Sequence, residues 1–185
     1  MASVDMVLGT FQALSFSFKK AEAGARDAFT MGPDAQEDVL AALNSRGARN
    51  AMVLSTCNRT EVYWSDLEPD HAHDVIQAHM GVDDDAWAQA QLAVHGLEAV
   101  AHLMRVGCAL ESQIPGDTEI AGQLKLALRQ AKDLGGDVAW LDRVVSLVLK
   151  ASKRVKSETG LSSGATPQTR PAASVRQHPR DPVLS

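Results

Sequence analysis

Residues 51–63, Ala-Met-Val-Leu-Ser-Thr-Cys-Asn-Arg-Thr-Glu-Val-Tyr, constrain the fold of this chain more than any other stretch. An apolar run, Met52 to Leu54, feeds a short polar knot, Ser55 to Glu61, and the chain then returns to the β-formers Val62, Tyr63 and Trp64. That pattern predicts strand, tight turn, strand. Cys57 falls at the tip, between Thr56, Asn58 and Arg59. An inert structural cysteine usually has apolar neighbours. A working thiolate wants positive charge and hydrogen-bond donors close by, and Arg59 supplies one such charge. Cys57 is therefore the candidate nucleophile, weighed against simple packing.

The bulk numbers set the frame. The 185 residues suffice for one domain with a tail. Hydrophobic content of 45% allows a real core, and only 4% aromatic residues implies small-residue helix packing within it. A net charge of −5 argues against a generally basic nucleic-acid binder and leaves room for a local basic face. Two cysteines, Cys57 and Cys108, make no disulfide scaffold, and no Cys/His cluster has zinc spacing. The N-terminus lacks a basic stretch followed by an apolar one, and no apolar run reaches membrane length, so a soluble cytoplasmic protein without metal or membrane contact is expected.

Along the chain, residues 6–18 read as a first strand, with Leu14, Phe16 and Phe18 on one face. Residues 19–32 read as a loop with one helical turn near 25–29. Pro33-Asp34 starts a helix over 33–45 that buries Val39, Leu40 and Leu43 and stops at Gly47. After the hairpin, a helix over 70–80 carries Val75, Ile76 and His79 at core spacing and ends at Gly81. Asp83, Asp84 and Asp85 lack the alternating ligands, glycine and terminal glutamate of a calcium loop. An acidic start to the helix around Trp87 explains them better. Residues 91–95 are a short strand. From Gly96 the pattern is helical, with one apolar stripe through Val100, Leu103, Met104 and Val106 to Leu110, broken at 115–118, where Thr118 can cap the next helix. That helix, 119–134, turns Ile120, Leu124 and Leu128 inward. A last helix over 138–156 buries Leu141, Val144, Val145, Val148 and Leu149 and ends in Lys150, Lys153, Arg154 and Lys156. Basic residues suit a helix C-terminus for electrostatic reasons, or they contact a phosphate backbone. Residues 161–185 hold four of the seven prolines, three arginines and one acid, the composition of a disordered tail or interaction arm. The domain is thus expected over 1–160.

Three stretches together resemble one family. Ser55-Thr-Cys-Asn-Arg-Thr-Glu-Val-Tyr63 resembles the glutamyl-tRNA reductase signature around its catalytic cysteine. His102-Leu-Met-Arg-Val106, with Ala109-Leu-Glu-Ser112 and Gly116-Asp-Thr-Glu-Ile-Ala-Gly-Gln123, resembles its second block, and Lys153-Arg-Val-Lys-Ser-Glu-Thr-Gly160 its third. Order and spacing match from about residue 7 to about residue 165. The resemblance covers the family's N-terminal catalytic domain alone. The NADPH-binding Rossmann domain, with its Gly-x-Gly-x-x-Gly, and the dimerisation domain have no counterpart in the sequence. It implies an α+β fold, a ferredoxin-like sandwich with additional C-terminal helices, and no cofactor on this chain.

The same resemblance implies roles. Cys57 would attack the aminoacyl ester of glutamyl-tRNA and form a thioester. Arg59 would hold the substrate carboxylate in a two-pronged ion pair. Thr56, Ser112 and Gln123 match polar pocket positions. A family histidine falls at Val94 in gapless register, and His95 takes its role if the loop is one residue shorter. Lys150, Lys153, Arg154 and Lys156 would touch the tRNA. The departures are equally specific. The family's Asn-His-Lys/Arg-Thr-Ala-Pro block is Ser17-Phe-Lys-Lys-Ala-Glu22 here, its Gly-Leu-Asp-Ser is Ala109-Leu-Glu-Ser112, and its Gly-Glu-x-Gln ends in Glu119 instead of a neutral amide. Two functions compete. One is a stand-alone, aminoacyl-tRNA-dependent acyltransferase that passes the acyl group to a small-molecule or protein acceptor or to a separate reductase. The other is a non-catalytic homologue that binds charged tRNA or regulates a full-length reductase. A fragment of a longer reductase is a third reading, disfavoured because the sequence after Ala165 loses helical periodicity.

Overall fold

The structure, a computed structural model, describes residues 4–17, 29–112 and 119–159. Its elements run α1 (Val4–Thr10), β1 (Gln12–Ser17), α2 (Pro33–Ser45), β2 (Arg49–Thr56), β3 (Arg59–Ser65), α3 (Pro69–Met80), α4 (Asp84–Ala90), β4 (Gln91–His95), α5 (Gly96–Gly107), α6 (Glu119–Asp133) and α7 (Ala139–Thr159). The four strands form one sheet in the order β2-β3-β1-β4, every neighbouring pair antiparallel. Two interleaved β-α-β units generate that order, which makes the sheet ferredoxin-like and the domain α+β.

Alternation along the strands assigns each residue to a face. One face carries Leu14, Phe16, Val62 and Trp64. Phe16 packs on Trp87 of α4, and Trp64 meets His73 of α3 edge-on. The opposite face carries Ala13, Ser15, Glu61 and Tyr63, paired across β1 and β3, and lies beneath the C-terminal helices. Phe11 stacks on Tyr63 and tilts against Trp140 of α7. Both faces are therefore covered, and every residue of β3 is buried. Helix α5 packs tightly on α7: a Cβ added at Gly107 would stand 2.1 Å from Cγ1 of Val148.

Several sequence expectations need correction. β1 begins at Gln12, and residues 4–10 form helix α1. The apolar run Met6 to Leu8 fits either period. The helix closes where the Thr10 hydroxyl, 3.3 Å from the Val7 carbonyl, donates to Asp66 Oδ1 at 2.8 Å. His79 is exposed and donates through Nδ1 to the Val75 carbonyl at 2.7 Å. Helix α5 stops at Gly107 and leaves Leu110 half exposed. The cause is Ala109, in the left-handed region at φ 59, with the Leu110 N–H returning to the Arg105 carbonyl at 2.9 Å, a Schellman-type ending. The residue pattern Ala109-Leu-Glu-Ser112 thus places alanine where the family's pattern has glycine, the residue that takes this conformation without strain. The acidic triplet opens α4 as expected, Asp83 accepting from the Ala86 N–H at 2.8 Å. Phe18, the turn at 25–28, the break at 115–118 with its Thr118 cap, and the tail lie outside the described residues.

Candidate functional site

Strands β2 and β3 pair down to Thr56 and Arg59, so Cys57 and Asn58 form a two-residue loop at the end of the sheet. The loop is braced from within. The Thr56 hydroxyl accepts the Asn58 N–H at 3.2 Å and lies 3.4 Å from the Arg59 carbonyl. That engages the Asn58 N–H within the turn itself. Cys57 is exposed, in a shallow cleft with Phe16, Ser17, Phe29 and Thr30.

Arg59 lies two residues on and is buried. It does not project toward solvent. Nη1 donates to Glu61 Oε1 at 3.1 Å, and Nη2 donates to the Glu111 carbonyl. Glu61, with no exposed surface, also accepts from the Ser15 hydroxyl at 3.0 Å. Its second oxygen lies 2.8 Å from Nε2 of the buried His102. A carboxylate can only accept there, so Nε2 carries the hydrogen. A buried ion pair is tolerable only when its remaining bonding capacity is met, and this one is held from β1, β3, α5 and the turn after α5. The Tyr63 phenol next along the same face is pushed well up, first by burial and then by the Glu61 carboxylate.

A cavity of about 120 Å³ opens above this network, lined by Ser15, Ser17, Arg59, Leu92, His102, Arg105 and Glu111. Arg105 is held by Glu98 at 2.6 Å and by Glu111 at 3.4 Å. Ser17 and Arg59 line both this cavity and the Cys57 cleft. The Cys57 cleft and a pocket with two guanidinium groups therefore share a wall.

The other expected site residues fall in different places. Ser112 directly follows Glu111 and is half-buried beside the site. Gln123 lines a separate groove between α2 and α6 that also contains Ser55. Glu119 opens α6 and is exposed. His95 is exposed at the far end of β1, paired with Gln12, whereas Arg59 pairs with Ser17 five residues away, about 17 Å along the strand. The structure does not bring His95 to Cys57, and His102 is the histidine beside Arg59. Lys150, Lys153 and Arg154 are exposed, and Arg154 pairs with Glu158 at 3.0 Å. Burial pushes the Cys108 thiol up while nearby Lys156 opposes this. Cys108 caps the C-terminal end of α5, so the basic end of α7 lies toward the Cys57 end of the sheet. Among the described residues no cluster of three or more His, Cys, Asp or Glu side chains can hold a metal ion, and no helix is long and apolar enough to cross a membrane.

Sequence reasoning gave Glu61 and His102 no role, though the signal was present. A carboxylate inside a strand buried on both faces needs a partner, and Arg59 shares its face by alternation. His102 sits on the buried stripe of α5 with Ala99, Leu103 and Val106.

The family model for the glutamyl-tRNAGlu reductase N-terminal domain matches residues 14–159. The chain belongs to this family. Glutamyl-tRNA reductase 2 of Flavobacterium johnsoniae is 41% identical over 157 residues, covering 85% of this chain and 36% of the relative. Glutamyl-tRNA reductase of Christiangramia forsetii is 36% identical over 156 residues, covering 84% of this chain and 37% of the relative. The solved glutamyl-tRNA reductase from Methanopyrus kandleri superposes with a TM-score of 0.67 at 31% identity, covering 85% of this chain and 37% of that one. The chain thus spans little more than a third of the length of these relatives. Both the suspected family and the ferredoxin-like α+β fold with C-terminal helices stand.

Proposed function

We propose that this domain takes the aminoacyl group of a charged tRNA onto Cys57 as a thioester, with glutamyl the acyl group that the relatives' name points to. One observation carries the reading: an exposed cysteine at a braced hairpin tip shares Arg59 with an adjoining pocket suited to a carboxylate. The thiol gives up its proton, Sγ attacks the ester carbonyl carbon, and the bond to the ribose oxygen breaks. The leaving hydroxyl takes a proton, so the products are a thioester and uncharged tRNA. The acyl side chain would enter the Arg59 pocket, which shares Ser17 and Arg59 with the Cys57 cleft. Among the described residues, Glu61 and the Glu111 carbonyl engage two of the five guanidinium N–H groups of Arg59, and the others are offered to a substrate carboxylate. Thr56 and Ser112 orient the acyl group, and the exposed basic end of α7 meets the RNA backbone. The thioester then passes to an acceptor amine or thiol, or to a reductase acting on it.

The test is single-turnover deacylation of glutamyl-tRNA by excess protein. Acceleration that disappears in Cys57→Ser supports the reading. Equal acceleration by Cys57→Ser overturns it.

A second reading, a module that binds charged tRNA or a full-length reductase without chemistry, draws on the Cys57 cleft, whose described lining contains no histidine or carboxylate to act as base. Tight binding of glutamyl-tRNA with no deacylation by either protein would favour it.

A further inference from the structure

Along the outer edge of β2 runs a groove of about 570 Å³ between α2 and α6. Its near end touches the Cys57 site. Ser55 lines it, and the Ser55 hydroxyl is 2.7 Å from that of Thr60, which lines the Cys57 cleft. The start of α2 is tied to the same place. Ser55 accepts the Met31 N–H at 3.0 Å, and Gln36 donates to the Met31 carbonyl at 2.9 Å. The far end is fixed by the chain after α6, where the Asp137 carbonyl accepts the Asn50 N–H at 2.7 Å, at the start of β2. Helix α6 therefore runs antiparallel to β2, from the Cys57 end of the sheet to the opposite one.

The lining changes along that length. Glu37, next to Gln36, stands on the α2 wall near Ser55, exposed and without an ion pair to any described residue. Asp133 lines the far end of the α6 wall. It is ten residues from Gln123, about 15 Å along the helix axis. Between them lie the buried Leu54 and Ala127 and the 66% exposed Leu126. The cationic lining is Arg129, 3.6 Å from Asp133 in an exposed pair that binds weakly. The groove is thus an apolar span between two carboxylates, with net negative charge, and it opens on the Cys57 cleft.

We infer that this groove binds the acyl acceptor, and that the acceptor is a linear aliphatic polyamine whose terminal amine reaches the thioester on Cys57. The inference rests on the function proposed above and names the second substrate of the same site. Methylene segments lie on Leu54, Ala127 and Leu126, where they leave water. The ammonium groups that do not react face Glu37 and Asp133. Cys57 is two residues beyond Ser55, about 7 Å of extended chain, so a terminal amine projecting past Ser55 arrives at the acyl carbon. The reacting nitrogen first loses its ammonium proton to water. Its lone pair attacks the thioester carbonyl carbon, the C–S bond breaks, and Sγ leaves with the bonding electrons. The nitrogen gives up a second proton and Sγ takes one. The products are a glutamyl amide and the free thiol, with no oxidant, reductant or nucleotide consumed. An anionic acceptor is repelled by the same lining, and a neutral monoamine leaves both carboxylates unused.

The experiment acylates the full chain with glutamyl-tRNA, separates it from the RNA, and challenges it with spermidine, 1,5-diaminopentane, n-pentylamine or polylysine. Intact mass follows loss of the acyl group from Cys57, and mass spectrometry of the small products identifies the amide. Spermidine should release the acyl group about tenfold faster than n-pentylamine at equal concentration, with the diamine between them, and added salt should narrow the gap. Glu37→Gln and Asp133→Asn should each slow release by spermidine about threefold. The same variants should react with n-pentylamine as wild type does, a result that a folding defect would not give. Equal release by spermidine and n-pentylamine, or an unchanged spermidine rate when both carboxylates are replaced, overturns the groove assignment and leaves the thioester chemistry standing. Faster release by polylysine than by spermidine overturns the small polyamine in favour of a protein acceptor. No thioester on wild type overturns the proposed function and this inference with it.

Discussion

Thr60, Val62 and Trp64 point to one face of β3, and Arg59, Glu61 and Tyr63 point to the other; all six are buried. The first face meets aromatic and aliphatic side chains, with Phe16 stacked on Phe29 at 4.9 Å and tilted against Trp87 at 5.0 Å between ring centroids. The second holds an ion pair, a histidine and a serine in one bonded cluster. Apolar burial stabilises the fold directly, at about 25 cal/mol per Å². A buried ion pair returns little net stability, because the desolvation of both charges opposes their attraction. The contrast indicates that the first face maintains the sheet and that the second maintains the orientation of Arg59.

Breaking one partner of the cluster should have the largest effect. Glu61→Ala leaves the Arg59 charge buried and uncompensated, and should lower stability by about 3–5 kcal/mol in urea unfolding. Trp64→Ala on the other face should cost a similar amount, about 3–5 kcal/mol. The comparison sharpens when the cluster is removed whole. Replacing Arg59, Glu61 and His102 together by Met, Leu and Leu should cost far less stability than Glu61→Ala and still abolish acylation. A triple variant as unstable as Glu61→Ala would mean that the cluster is structural.

Smaller changes follow. Arg59→Lys keeps the charge but loses the planar fork, and should slow acylation by glutamyl-tRNA about a hundredfold in single-turnover assays with little change in melting temperature. Gly107→Ala drives a methyl group into Val148 beneath the cluster and should cost about 1–3 kcal/mol by the same unfolding measurement. The smallest effect belongs to the aromatic face. Burial between Trp64 and Trp87 holds His73 below its usual value, against the opposing pull of Asp70 and Asp74. The unfolded chain takes up this proton near pH 6.5, so the contribution is complete above about pH 6.5 and is lost as pH falls toward the lower folded value. Thermal melts from pH 7.5 to 5.5 should therefore fall slightly less steeply for His73→Gln than for wild type.

Much of the architecture was legible in the sequence. The hairpin was readable because Met52 to Leu54 and Val62 to Trp64 flank a short polar turn, and α2, α3, α6 and α7 because their apolar residues recur at helical spacing. The residues 4–10 were misread because three consecutive apolar residues carry no period, and the long stripe after Gly96 hid the left-handed turn at Ala109 that ends α5. At the site, Cys57 and Arg59 stood out through their neighbours on the chain. Glu61 and His102, 41 residues apart, meet only through packing of α5 on the sheet. His95 suited the alignment by proximity in sequence, and the antiparallel pairing of β1 with β4 carries it to the opposite end.

The most direct measurement of the central claim is the intact mass of the protein after incubation with glutamyl-tRNA, quenched at low pH to protect a thioester. The account predicts a gain of one glutamyl residue on wild type, none on Cys57→Ser, and a much smaller gain when the tRNA carries glutamine, which lacks the carboxylate that Arg59 holds. A mass unchanged with every charged tRNA tried, or an adduct that survives Cys57→Ser, would contradict it.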